Sequence, residues 1–121
     1  MIKTKILLAT LLATQLVACS TGSPPSQDMA LTQASIRSAV AAGADEHASK
    51  PLRSAQQRLE KAQRMINSKK YDDARRQLQL AQADAELAEA MAEAKNSQIA
   101  NSELQESIDL MKEEIARVQD Q

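Results

Sequence analysis

Apolar positions along this chain recur at helical spacing almost throughout. Ile36, Ala39, Val40 and the Gly43-Ala44 pair lie close to one face. They predict a first helix from Met29 to His47, with Asp28 as its N-cap. Gly43 costs helix stability and reads as a close-contact point between helices. Ser49-Lys50-Pro51 interrupts the pattern, because proline favours a helix's first turn and disfavours a helical residue before it. A second helix then carries Leu52, Ala55, Leu59, Ala62, Met65 and Ile66 as one stripe. Asn67 to Lys70 reads as a turn.

Tyr71-Asp72-Asp73 opens a third helix, with carboxylates placed for the helix dipole. Ala74, Leu78, Ala81, Ala85, Ala88 and Ala92 form a heptad-like seam in steps of four and three. Leu80, Ala83, Leu87, Ala90, Met91 and Ala94 form a second stripe, which predicts contact from a second side. No stop signal follows. Leu104, Ile108, Met111, Ile115 and Val118 continue at four, three, four, three, after a five-residue step from Ile99 that reads as a change of register. Asn96, Ser97, Asn101 and Ser102 mark the weakest stretch. The expected fold is all-α: a helical hairpin plus an N-terminal helix, with a long, coiled-coil-like C-terminal helix. The first helix is expected to run parallel to the third and the second antiparallel to both. Leu52, Leu59, Ile66, Leu78 and Leu87 are expected to carry the core.

The N-terminus follows a different logic. Lys3 and Lys5 precede a mostly apolar stretch, Ile6 to Val17, too short and too broken to span a bilayer. Its size suits the apolar region of a secretory signal peptide. Leu16-Val17-Ala18-Cys19 follows and resembles a lipobox, the processing site of bacterial lipoproteins. That resemblance implies a diacylglyceryl group on the Cys19 thiol, cleavage before Cys19 and acylation of the new amino group. Several acyl chains give stable anchoring where one does not. Ser20, rather than an aspartate, implies transfer to the outer membrane by the rule of enteric-type lipoproteins. Ser20 to Gln27, with Pro24-Pro25, reads as a solvated tether. The expected division is a signal peptide at 1–18, lipidated Cys19 and tether at 19–28, a helical domain at 29–95 and a helix extension at 96–121.

Composition narrows the function. Of 121 residues, 15 are basic and 16 acidic, and loss of Lys3 and Lys5 with the signal peptide leaves a small acidic excess. No basic block exists, so nucleic acid is not an expected partner. Tyr71 is the only aromatic residue, and Gly22 and Gly43 are the only glycines. No stacking platform or phosphate-cradling loop can be assembled. Too few Gly, His, Cys and aromatic residues remain to build a pocket, so neither enzyme activity nor a small-molecule substrate nor a cofactor is expected. No metal site is expected either. His47 beside Asp45 and Glu46 does not converge with them on a helix. Glu86, Glu89 and Glu93 read as an outward charged face, as do Glu103, Glu106, Glu113 and Glu114. Met65, Met91 and Met111 read as gap-fillers in a core rich in alanine. Tyr71 reads as a packing lid at the hairpin corner.

Ala34-Ser35-Ile36, the Ala42-Gly43-Ala44 step, Pro51-Leu52, the Tyr71-Asp72-Asp73-Ala74 turn and the run from Ala81 to Ala90 resemble the small bacterial lipoproteins grouped as DUF4398. The likeness covers about residues 30–95. It implies a lipid-anchored helical protein and carries over no activity. Some members accompany a peptidoglycan-binding domain, of which these 121 residues contain no copy. A fainter likeness, at Ala62, Tyr71, Ala74, Leu78 and Ala81, is to a single tetratricopeptide unit; a repeat array needs about three.

Two functions remain open. One is a non-catalytic module, held to membrane lipid through acylated Cys19, that organises the envelope or acts as an adaptor. Leu104, Ile108, Met111, Ile115 and Val118 would then bind another helix, from a second copy or from an envelope protein. The other is a self-assembling structural coiled coil resembling the major murein lipoprotein in plan. That family's C-terminal lysine is replaced here by Asp120-Gln121.

Overall fold

The computed structural model describes residues 22–120. Those residues form four helices and no strand: α1 (Ser26–Ala41), α2 (Ala44–His47), α3 (Ser49–Asn67) and α4 (Tyr71–Gln119). The all-α expectation holds, as does the long C-terminal helix. At 1.5 Å per residue the 49-residue α4 is roughly 70 Å long, against roughly 30 Å for α3.

Helix α1 begins three residues earlier than Met29. Pro25, not Asp28, is its N-cap. Proline is tolerated there because its fixed φ suits the first turn and its missing N–H has no intrahelical partner. Asp28 lies in the first turn instead, where its charge favours the dipole. Ser26, Gln27 and Asp28, which the sequence assigns to the tether, lie in the first turn of α1. Pro25 is buried, and the Ser23 carbonyl accepts a hydrogen bond from Arg75 Nη2 at 2.9 Å.

The expected single helix to His47 is broken at Ala42-Gly43. Gly43 has φ +86°, a left-handed conformation that glycine enters without a Cβ penalty. Its N–H bonds the Val40 carbonyl at 3.0 Å, closing the end of α1. A Cβ at Gly43 would meet only His47 Cδ2, at 3.8 Å. The glycine is therefore required by its backbone angle and not by close helix contact.

The α3–α4 corner uses the same device without glycine. Lys69 has φ +57°. Its N–H bonds the Ile66 carbonyl and the Lys70 N–H bonds the Met65 carbonyl, both at 2.9 Å. That pair of bonds is the Schellman arrangement. Pro51 lies in the first turn of α3, as its residue type requires.

Helix directions follow from the cross-helix bonds. Asp28 pairs with Arg75, Thr32 reaches the Leu78 carbonyl, Ser38 bonds Glu89 and the Ala42 carbonyl accepts from Asn96. Numbers rise together, so α1 is parallel to α4. Helix α3 returns through a short turn and is antiparallel to α4.

Ala74, Leu78, Ala81, Ala85, Ala88 and Ala92 are all fully buried. This one seam takes both α1 and α3. Alanine permits close approach and contributes little apolar area. A cluster of buried residues forms where the end of α1, α2 and the start of α3 meet Ala88 and Ala92, around Ala39, Ala44, Ala48 and Leu52. Leu78 and Thr32 are the largest fully buried side chains. Of the expected core, Leu52 and Leu78 are buried, and Leu59 and Ile66 are half-buried. Leu87 is 53% exposed, which removes it from the core.

Candidate interaction face

The second stripe of α4 has no partner within the described chain. Leu80, Ala83, Leu87, Ala90, Met91 and Ala94 are exposed, so the expected second-side contact is absent from the described chain. The reason is geometric. At 100° per residue these positions cluster on the side of α4 opposite the buried seam. Both α1 and α3 sit on the other side. Met91 and Met111 are exposed and Met65 is half-buried, so the methionines do not fill gaps in the core.

Past about Ile99, α4 stands free. Leu104, Ile108, Met111, Ile115 and Val118 are between 41% and 66% exposed. Leu110, 61% exposed, lies off that stripe. An isolated helix of this length in water is marginal by itself. Side-chain bonds run along it: Gln105 to Asp109, Lys112 with Asp109, and Arg117 with Glu114 at 2.8 Å. Such exposed pairs stabilise a helix by tenths of a kcal/mol each.

The inner side of α4 is fastened by polar groups that the periodicity did not single out. Asp84 accepts from Ser54 Oγ at 2.6 Å and from Arg58 Nε at 2.7 Å, joining α3 to α4. Ser38 donates to Glu89 Oε1, so Glu89 turns toward α1 and away from the charged face on which it was placed. Asn96 donates to the Ala42 carbonyl at 3.0 Å, which caps α1 from the side. Expected as a weak point of the long helix, Asn96 is a fastening point. Thr32 Oγ1 lies 2.8 Å from the Asp28 carbonyl and 3.2 Å from the Leu78 carbonyl. Arg75 gathers Asp28, Asp72 and Ser23 at the start of α4. For the contacts of Thr32, Ser38 and Ser54, a hydroxyl residue at helical spacing from apolar ones is the sequence signal; the contacts of Asn96 and Arg75 have none.

Tyr71 is half-buried at the hairpin corner, beside Gly22, Lys69 and Arg76. His47 is half-buried at the end of α2, near Met91 and Lys95. Among the described residues, no three His, Cys, Asp or Glu are grouped to hold a metal. No helix among them is long and apolar enough to cross a membrane. Leu16, Val17, Ala18, Cys19 and Ser20 lie outside the described residues.

The chain matches no curated protein and no solved structure. Residues 27–104, most of the helical region just described, match the family described as "Domain of unknown function (DUF4398)", and the chain belongs to that family.

Proposed function

We propose that this protein is a non-catalytic lipoprotein anchored through acylated Cys19 to the periplasmic side of the outer membrane. It acts in envelope organisation, or as an adaptor, through helix–helix contacts made by α4. The observation that carries the reading is the free end of α4, whose apolar residues at heptad spacing face water. Exposed apolar surface of this kind marks an interaction site. The parallel placement of α1 supports the geometry. The chain enters beside the start of α4, so a membrane anchor at residue 19 would lie at that end and the overhang would point away from the lipid.

Two measurements test the two parts. Metabolic labelling with palmitate, followed by membrane fractionation, should put label and protein together in outer-membrane fractions; Cys19→Ala should abolish the label. Wild-type chain without label would end the anchoring claim. Amide exchange across residues 99–120 should be slower in the membrane-bound chain than in dilute detergent. Equally fast exchange in both would end the contact claim.

A further inference from the structure

The exposed stripe and the free end of α4 are one surface. Steps of three and four alternate without a break from Leu80 to Val118 once Ser97 and Asn101 are counted. The first position of each heptad, a, holds Leu80, Leu87, Ala94, Asn101, Ile108 and Ile115. The fourth, d, holds Ala83, Ala90, Ser97, Leu104, Met111 and Val118. All twelve are exposed. There is accordingly no change of register between Ile99 and Leu104: Ile99 extends the buried seam, and Leu104 belongs to the outer one. The buried seam occupies positions b and f, on the opposite side of the helix. Helix α4 therefore has two seams, one filled by its own chain and one that the described residues leave unfilled over more than five heptads.

We infer that the outer seam is covered by a second copy of this chain, in a parallel, in-register two-stranded coiled coil. The inference rests on the reading of α4 as a helix-binding surface. Three observations select the partner. Length is the first, since about three to four heptads already suffice to define a coiled coil. Layer chemistry is the second. Asn101 is a polar residue at a, with Leu104 at d of its own heptad, and the two heptads that follow hold isoleucine at a over Met111 and Val118 at d; β-branched residues at a with a single polar a position favour two parallel strands. In register, Asn101 meets Asn101 and each amide satisfies the other. A slip of one heptad sets Asn101 against Ala94 or Ile108, and its amide loses that partner. Flank charge is the third. In a parallel pair, position g faces position e of the next heptad on the other strand. The pairs are Glu86 with Met91, Glu93 with Gln98, Ala100 with Gln105, Ser107 with Lys112 and Glu114 with Gln119. None sets like charges together, although a quarter of the chain is charged. Anchoring of both copies at residue 19 in one membrane would bring their helices together in the same direction.

Cysteine scanning of the full chain in membranes tests this, with a short bis-maleimide as the cross-linker. Single cysteines replace Leu104, Ile108, Met111 and Ile115 on the seam, and Glu103, Glu106, Asp109 and Glu113 off it. All eight sites are exposed, so folding of the inner seam is unaffected. Same-position dimers should form roughly fivefold or more above the off-seam sites. Equal yields on and off the seam would overturn the proposal. So would an antiparallel pattern, in which same-position products appear only near residue 99. Products joining the seam to a chain of different mass would overturn the second copy while leaving the helix-binding surface intact; absence of any product would remove both. Failure of lipid attachment shows separately, because a free Cys19 thiol would cross-link the unsubstituted chain.

Discussion

Leu78→Ala should be among the most costly single truncations in this protein. Among the described residues Leu78 and Thr32 are the largest fully buried side chains, and Leu78 lies in the seam where α1 and α3 both meet α4. Burying a leucine stabilises by about 1.5–3 kcal/mol in transfer terms. The cavity left behind adds to that, and leucine-to-alanine losses in helical cores run to about 3–5 kcal/mol. Ala74 and Ala81, the residues next to it along the seam, are too short to collapse into the space, so a loss of about 3 kcal/mol is expected. A chain of this size has about 5–15 kcal/mol in all. Leu87→Ala is the control: the same residue type on the same helix, on the exposed side. At concentrations low enough to keep the chain monomeric it should cost under about 0.5 kcal/mol. Urea unfolding followed by circular dichroism at 222 nm gives both numbers. A Leu78→Ala loss below about 1 kcal/mol, or equal losses at the two sites, would refute the assignment of inner and outer seams.

Other substitutions follow from the corners and fastenings. Lys69→Gly should raise stability by about 0.5–1 kcal/mol, since it relieves a left-handed backbone at the cost of some unfolded-state entropy; a lower urea midpoint would contradict the Schellman corner. Gly43→Val should destabilise by more than about 1 kcal/mol through backbone strain, although space is available for the side chain. Asp84→Ala should cost about 1 kcal/mol, and a cycle with Arg58→Ala should show coupling between them. Additive losses in that cycle would mean the 2.7 Å contact contributes nothing. Asn101→Ile should strengthen self-association and loosen its register, read as cross-links between cysteines one heptad apart; unchanged association would remove Asn101 from the seam.

Much of this architecture was legible because helical periodicity is a direct consequence of burying one face. The seam from Ala74 to Ala92 is spaced as a heptad and is buried at every position. The turn at Asn67–Lys70 and the break before Pro51 follow from residue chemistry alone. What could not be read is which of two equally periodic stripes the chain fills by itself. Leu87 is larger than the alanines that are buried, and its size makes it the expected core residue. Packing chose the alanines, since two helices can approach one seam closely only if its side chains are short. Gly43 departs from the expected close-contact role for a related reason. Spacing reports the face a residue occupies, and it carries no information about the sign of φ. The apparent register change at Ile99 came from following the buried seam into a region where only the outer one continues, and Ser97 and Asn101 hid that continuity because they are polar.

The allotment of side chains between the two seams has an energetic consequence. Alanine dominates the buried seam, and Leu78 is its one large residue. The outer seam holds Leu80, Leu87, Leu104, Ile108, Met111 and Ile115, each at least 41% exposed. Hydrophobic stabilisation scales with apolar area removed from water. More of that area therefore remains available to association than a chain with its large residues inside would leave. The first half of the outer seam is thin, with alanine at Ala83, Ala90 and Ala94, and the second half is bulky. Association energy is accordingly concentrated after Leu104, in the part of α4 that α1 and α3 do not reach. Among the described residues no burial holds that stretch helical, and association is what would order it. Folding near the start of α4 and pairing near its end are thus carried by different residues of one helix. A change such as Ile108→Asp should abolish pairing and leave the unfolding of the α1–α3 region unaltered, whereas Leu78→Ala should weaken that region and spare the seam beyond it.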